Sequence, residues 1–137
     1  MSSQIQACLV CDMIRPELNG KLIILGFFGI CPNVQITLAA LDQPTPLTFL
    51  LSGRANPGQL GIALQLVDVR SQQVIASTLE MRIAVEGAGG VFNIVQTLLF
   101  TFGRAGEFEA RCFVNGVRDY SGFFQVARQD DHSRNVR

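Results

Sequence analysis

Two cysteines stand three positions apart near the start of the chain, a spacing found in half of a zinc site or in a redox motif. Cys8-Leu-Val-Cys11 lies in an alternating stretch typical of a β-strand, where residues three apart point to opposite faces. A closed zinc site needs four ligands, and Cys31, Cys112 and His132 lack the required spacing. The redox motif needs a helix N-terminus, and no helix is predicted after Cys11. We therefore expect no metal and no cofactor.

Acid–base and nucleophilic catalysis lack a positioned base in this sequence. His132 is the one histidine, and it falls in a polar final segment, so Ser–His–Asp and Cys–His schemes are incomplete. Glu107 and Glu109 share the wet face of an alternating strand, where solvated carboxylates are usual. The glycine-rich segment 87–90 is followed by no Lys-Ser or Lys-Thr, as a phosphate loop would need. We expect no catalytic residue and no enzyme.

Residues that favour turns interrupt the chain at short intervals and leave segments of strand length, which is typical of a β-sandwich or barrel. No stretch shows apolar residues at helical spacing over three turns. The sequence predicts an all-β fold, namely a two-layer antiparallel sandwich, immunoglobulin-like, of seven to nine strands with no substantial helix. A small closed barrel is the alternative. The turn segments are 16–20, 31–33, 42–46, 56–58, 70–73, 87–90, 103–106 and 115–116.

A hairpin is predicted at Asn115-Gly116, because both central positions of a type I′ turn need a positive φ. Strict pairing across this turn sets Cys112 opposite Asp119 and leaves a carboxylate on the core face. The residues from Tyr120 onward have the other parity and form the inward set. One inserted residue reconciles the two, so we predict a β-bulge at residues 118–119.

The segment from Lys21 to Phe28 is apolar on both parities. A two-layer sandwich has no third layer to cover such a strand, so its second face meets another chain or lies under a loop. The first interpretation makes Ile24, Gly26 and Phe28 the candidate contact strand for self-association. The second uses residues 31–46 as a loop folded over that face.

Charge and length limit the partners and the organisation. The 137 residues carry 11 Lys and Arg and 11 Asp and Glu, whereas a duplex-binding protein normally carries a basic excess. We therefore expect no nucleic-acid partner. One domain fits this length, and we predict a single domain over residues 1–127 with a polar, disordered tail over 128–137.

The N-terminus and the apolar runs indicate a cytoplasmic chain. The first residues carry no positive charge and their apolar run stops at Asp12, unlike a signal peptide. Residues 22–28 are too short to span a membrane. Four cysteines without a secretion signal predict reduced thiols.

These observations favour a non-enzymatic cytoplasmic module that acts by protein–protein contact, with itself or with a partner protein. An alternative is binding of a small apolar ligand between the sheets, and a hydrolytic enzyme is favoured less. Inward-facing aromatic residues usually fill core volume. The candidate lining residues for that ligand are Phe92, Phe100, Phe108 and Phe124.

The N-terminal pattern resembles a bacterial family of short proteins known only as a domain of unknown function. It reads Ala7-Cys-Leu-Val-Cys-Asp12 and then Asn19-Gly-Lys-Leu-Ile-Ile-Leu-Gly-Phe-Phe28. The resemblance covers residues 4–127 in layout and the first thirty residues as a motif. It implies a compact all-β domain with immunoglobulin-like strands and no active site to transfer.

Overall fold

The computed structural model describes residues 4–86 and 90–129, and ten β-strands make up most of them. No helix lies among residues 4–86 and 90–128, so the all-β prediction is confirmed. The strands are β1 (Ile5–Pro16), β2 (Leu22–Ile30), β3 (Asn33–Leu38), β4 (Pro44–Arg54), β5 (Gly58–Asp68), β6 (Gln73–Ser77), β7 (Met81–Val85), β8 (Val91–Thr101), β9 (Gly106–Val114) and β10 (Val117–Arg128).

All ten strands belong to one sheet that curls into a nearly closed barrel. Its order is β6-β5-β9-β10-β3-β2-β1-β4-β8, and β7 pairs with β5. The expected two-layer, immunoglobulin-like sandwich of seven to nine strands is therefore wrong, since the described residues form ten strands, and the barrel named as the alternative is nearer to the fold. The physical reason is β3, which pairs in parallel with β10 and antiparallel with β2 and so joins the two halves into one continuous sheet.

β3 occupies much of the segment expected to be a loop over the face of β2. Its inward residues Val34 and Ile36 are buried in the core, which ties the strand into the sheet. Gly29 of β2 pairs with Val34, so this segment lies beside β2 and not over it.

Phenylalanine rings fill the middle of the barrel. Phe102 contacts Phe108 edge-on with ring centroids 4.9 Å apart, and Phe108 stacks on Phe124 at 5.9 Å. Phe92 and Phe100 are also buried in the same cluster. The four phenylalanines considered as a ligand lining are therefore core residues.

The β9–β10 hairpin has the predicted geometry. Asn115 and Gly116 have φ of 51° and 81°, and Val114 pairs with Val117 across the two-residue turn. The register then shifts between Arg118 and Tyr120, which confirms the bulge.

No helix among the described residues is long and apolar enough to cross a membrane. β10 runs to Arg128, one residue beyond the predicted domain end at 127. Residues 130–137 of the predicted tail, with His132, lie outside the described residues. The single domain and the disordered tail stay predictions.

Candidate ligand site at the open seam

The barrel has a seam where its sheet begins and ends. Among the described strands, β8 pairs only with β4, while β6 and β7 pair only with β5. A groove of about 530 Å³ lies between these edges, lined by Ser77–Met81 and Gln96–Leu98. We call it the seam groove. Unpaired strand edges present backbone N–H and C=O groups, so the groove lies beside polar backbone as well as side chains.

One wall of the seam groove is shaped by an extra residue between β6 and β7. Ser77 pairs with Gln65 and Met81 pairs with Ile62, so three residues, 78–80, stand opposite two on β5. Such an insertion is a bulge, and it bends the strand locally.

Thr78 and Leu79 show what the bulge does. The backbone N–H of Thr78 donates to the Leu64 carbonyl at 2.9 Å, and the N–H of Leu64 donates to Thr78 Oγ1 at 2.9 Å. The Thr78 hydroxyl oxygen is thus the acceptor for a backbone N–H of β5. Leu79 follows directly and is 92% exposed, at the mouth of the groove.

The opposite wall carries Gln96, a polar side chain in an inward-facing row. Its neighbours of the same parity on β8 are Phe92, Ile94, Leu98 and Phe100, all buried. Gln96 is only 6% exposed, and its Nε2 has no hydrogen-bond partner among the described residues. An unsatisfied buried donor costs about 1–3 kcal/mol, which a hydrogen-bond acceptor in the groove would recover.

One carboxylate lines the seam groove, and it lies beside an arginine. Glu80 is the charged residue among its described lining residues, and its Oε1 lies 3.5 Å from the Arg82 guanidinium. The Glu80 side chain folds over Gly61, where a Cβ would collide with it. The remaining wall is apolar at Leu79, Met81 and Leu98. This composition fits a neutral, partly apolar molecule better than an anion.

The predicted contact strand lies elsewhere, on β2. Ile24 and Phe28 are half-buried, and Phe28 packs against the core. Gly26 is exposed with φ of 65°, and the Asp12 side chain fills the place where its Cβ would lie. The more exposed apolar side chains of β2 are Leu22, Ile23, Leu25, Phe27 and Ile30.

The first cysteine pair of the sequence is separated in the fold. Cys8 belongs to the core cluster with Cys31 and Cys112, whereas the buried Cys11 thiol lies 3.6 Å from the Met13 carbonyl. The hydrogen bond with Cys31, together with burial, raises the pKa of Cys8 well above its ordinary value. No group of three side chains suited to a metal occurs in the described part of the chain.

Glu107 and Glu109 differ in burial and in hydrogen-bond partners, although the sequence placed both on one solvated face. Glu107 is exposed and accepts a hydrogen bond from Gln125 Nε2 at 3.2 Å. Glu109 is buried, and its Oε1 accepts from Arg111 Nε at 2.9 Å. Glu109 is therefore held in a side-chain ion pair and is not on a solvated face. Residues 87–89 of the glycine-rich segment lie outside the described residues.

Sequence reasoning missed Gln96 and residues 78–80. The signal was a glutamine on the inward parity of an apolar strand. Its importance depends on which strands end the sheet, and this is set by pairings between residues far apart in sequence.

No family model and no curated protein matches the chain. Among solved structures, the chain is similar to "Pseudomonas fluorescens alkylpurine DNA glycosylase AlkC bound to DNA containing an abasic site analog", with a TM-score of 0.46 and 21% sequence identity. The match covers 68% of this chain and 27% of that one. The resemblance of residues 7–28 to a bacterial family stays a prediction.

This structural match contradicts three expectations drawn from the sequence. The similar structure is an enzyme, and it holds DNA. We therefore withdraw the expectation of a non-enzymatic module that acts by protein–protein contact. We also withdraw the expected absence of enzyme activity, and the expectation of a homo-oligomer or protein partner without nucleic acid. At a TM-score of 0.46, the match assigns neither an activity nor DNA binding to this chain.

Proposed function

We propose that the protein binds a small, neutral molecule with a carboxamide-like edge in the seam groove. The observation that carries this proposal is Gln96, which lines the groove and whose buried Nε2 lacks a partner among the described residues. Buried polar groups in folded proteins are nearly always hydrogen-bonded. A ligand carbonyl oxygen or ring nitrogen would accept from this amide.

The rest of the groove limits the ligand further. Leu79, Met81 and Leu98 offer apolar contact to the body of the molecule. Glu80 disfavours a carboxylate ligand because like charges repel. The unpaired edge of β8 offers backbone groups to a ligand that has both a donor and an acceptor, as a carboxamide does.

This site differs from a cavity in the middle of the barrel. The centre is occupied by phenylalanine rings in mutual contact, such as Phe102 and Phe108. The seam groove lies at the edge of the sheet and is lined by Ser77, Thr78 and Gln96 as well as by apolar residues. A polar recognition group beside an apolar wall is typical of small-molecule sites.

Benzamide and benzoate test the proposal as a matched pair, since they share a shape and differ in charge. We expect benzamide to shift the side-chain NH₂ signals of Gln96 in ¹H–¹⁵N NMR spectra, with an affinity of about 1 mM, equivalent to about −4 kcal/mol. Benzoate should shift them far less, because Glu80 lies in the groove.

Two variants control this titration. Gln96→Leu keeps the approximate volume and removes the donor, so benzamide should no longer perturb signals from residues 77–81. Gln35→Leu changes an exposed glutamine on β3, away from the groove, and should leave the titration unchanged. Equal shifts with benzamide and benzoate, or an unchanged titration in folded Gln96→Leu protein, would contradict the proposal.

We also propose that the protein works in a reducing cytoplasm. All four cysteines are buried and form no disulfide, and such thiols are typical of reducing compartments. Fractionation of cells that express the chain at its native level would place it, and recovery outside the cytoplasm would contradict this assignment.

A further inference from the structure

Cys8 of β1 and Cys31, the residue that follows the end of β2, stand opposite each other. Leu9 pairs with Ile30, and one step further along this register brings Cys8 opposite Cys31, just past the end of β2. The N–H of Cys31 donates to the Cys8 carbonyl at 2.9 Å, which shows that the pairing continues. Directly opposed residues of antiparallel strands have neighbouring side chains on one face of the sheet, and each of these two thiols shifts the pKa of the other.

We propose that Cys8 and Cys31 form a reversible disulfide in the folded protein when it meets hydrogen peroxide. Directly opposed residues of antiparallel strands have Cα atoms about 4.5–5.5 Å apart. Disulfides span Cα separations of about 4.4–6.8 Å. The bond can therefore form without separating the strands.

The packing around Cys31 keeps this side chain in place. A Cβ on Gly122 of β10 would lie 2.9 Å from Cys31 Cβ and 3.0 Å from its Sγ. Glycine at this position leaves the room that the Cys31 thiol occupies. The thiol is thus packed directly against the backbone of β10.

The three core thiols have different roles in the proposed reaction. The hydrogen bond from Cys8 lowers the pKa of Cys31 in spite of burial, which favours Cys31 as the attacking thiolate. Burial raises the pKa of Cys112 to about 12, so that this residue stays a thiol. Cys8 is the resolving partner because it stands directly opposite Cys31 across the two strands.

The reaction balances as two successive displacements. The Cys31 thiolate attacks one peroxide oxygen, an S–O bond forms as the O–O bond breaks, and the released hydroxide takes up the proton lost by Cys31 to give water. The Cys8 sulfur then attacks the sulfenic sulfur, the S–S bond forms as the S–O bond breaks, and a second water leaves with the Cys8 proton. Two thiols are oxidised and one peroxide is reduced to two waters.

Peptide mapping tests the proposal directly. Folded protein is treated with hydrogen peroxide, its remaining thiols are blocked with N-ethylmaleimide in urea, and it is digested with trypsin. Because Pro16 prevents cleavage after Arg15, Cys8 lies in peptide 1–21 and Cys31 in peptide 22–54. We expect these two peptides to be linked, with fragmentation placing the bond at Cys8, and dithiothreitol to separate them.

Two cysteine variants and one physical measurement complete the test. Cys31→Ser should abolish the link, and Cys112→Ser should keep it. The link should raise the Tm by roughly 5–10 °C, because it closes a loop in the unfolded chain. A link through Cys11 or Cys112, or thiols that react only in urea-unfolded protein, would overturn the proposal. This result is independent of the seam groove, so the two proposals fail separately.

Discussion

The carboxylate of Asp119 accepts a hydrogen bond of 2.7 Å from the backbone N–H of Ile5. Its second oxygen accepts from the N–H of Gln4 at 3.1 Å. Asp119 stands at the bulge of β10, and Ile5 begins β1, which β3 and β2 separate from β10 in the sheet order. The bulge therefore turns a carboxylate out of the β9–β10 ladder and uses it to hold the start of β1.

Removal of this carboxylate should loosen the start of β1. Asp119→Ala leaves two backbone N–H groups without their charged acceptor, so we expect a loss of about 3 kcal/mol in the free energy of unfolding. Asp119→Asn keeps one acceptor and should lose about 1 kcal/mol. Urea unfolding measures both values. Asp42→Ala, on an exposed aspartate, is the control, and an equal effect at Asp42 and Asp119 would show that the contact contributes nothing.

A second prediction concerns Gly29, where β2 and β3 meet. Its φ is 141°, and a Cβ there would lie 2.1 Å from the Asn33 carbonyl oxygen. Backbone cannot move aside as a flexible side chain can, so Gly29→Ala should cost more than about 3 kcal/mol. Gly20 has φ of 74° but open space around it, and Gly20→Ala should cost only about 1 kcal/mol. Thermal unfolding measures the loss of stability in both variants. A larger loss for Gly29→Ala shows the cost of the steric collision, and equal losses in the two variants would contradict it.

The sequence predicted what depends on neighbours along the chain. The bulge at residues 118–119 was visible because Cys112 and Tyr120 demand different parities across a two-residue turn. The parallel pairing of β3 with β10 was not visible, since it joins Gln35 to Gln125 across most of the chain. Without that pairing, the strands on either side of it are expected to form two separate layers.

The candidate site was missed for the same reason. Gln96 shares its parity along β8 with the buried residues Ile94 and Leu98, so its inward direction follows from the alternation of a strand. Whether an inward glutamine lies in a closed core or at an opening depends on the free edge of β8, and that edge exists because β8 pairs only with β4 in the described part of the fold.

A third prediction concerns acid stability and rests on Asp68 of β5. Burial alone would raise the pKa of Asp68, but hydrogen bonds from Arg104 and from the N–H groups of Arg70 and Ser71 lower it overall. Because the folded pKa lies below the unfolded one, this stabilisation is fully present above the unfolded pKa. It is lost as the pH falls through the folded pKa.

Comparison of the wild type with Asp68→Asn isolates that effect. The difference in their free energies of unfolding should be largest near about pH 7 and should shrink as the pH falls to about 2. Urea titrations across this range measure it. A difference that stays constant with pH would mean that the Asp68–Arg104 pair contributes through packing and not through charge.

The last prediction is that one substitution, Gln96→Leu, has opposite effects on stability and on ligand binding. Gln96→Leu replaces an amide that lacks a partner among the described residues with an apolar side chain in an apolar row. We therefore expect the free energy of unfolding to rise by about 1 kcal/mol while the response to benzamide disappears. Urea unfolding and the NMR titration are measured on the same samples, with Gln35→Leu as the control that changes neither. If Gln96→Leu instead destabilises the fold by about 1 kcal/mol or more, the glutamine serves the core and the seam groove loses its recognition group.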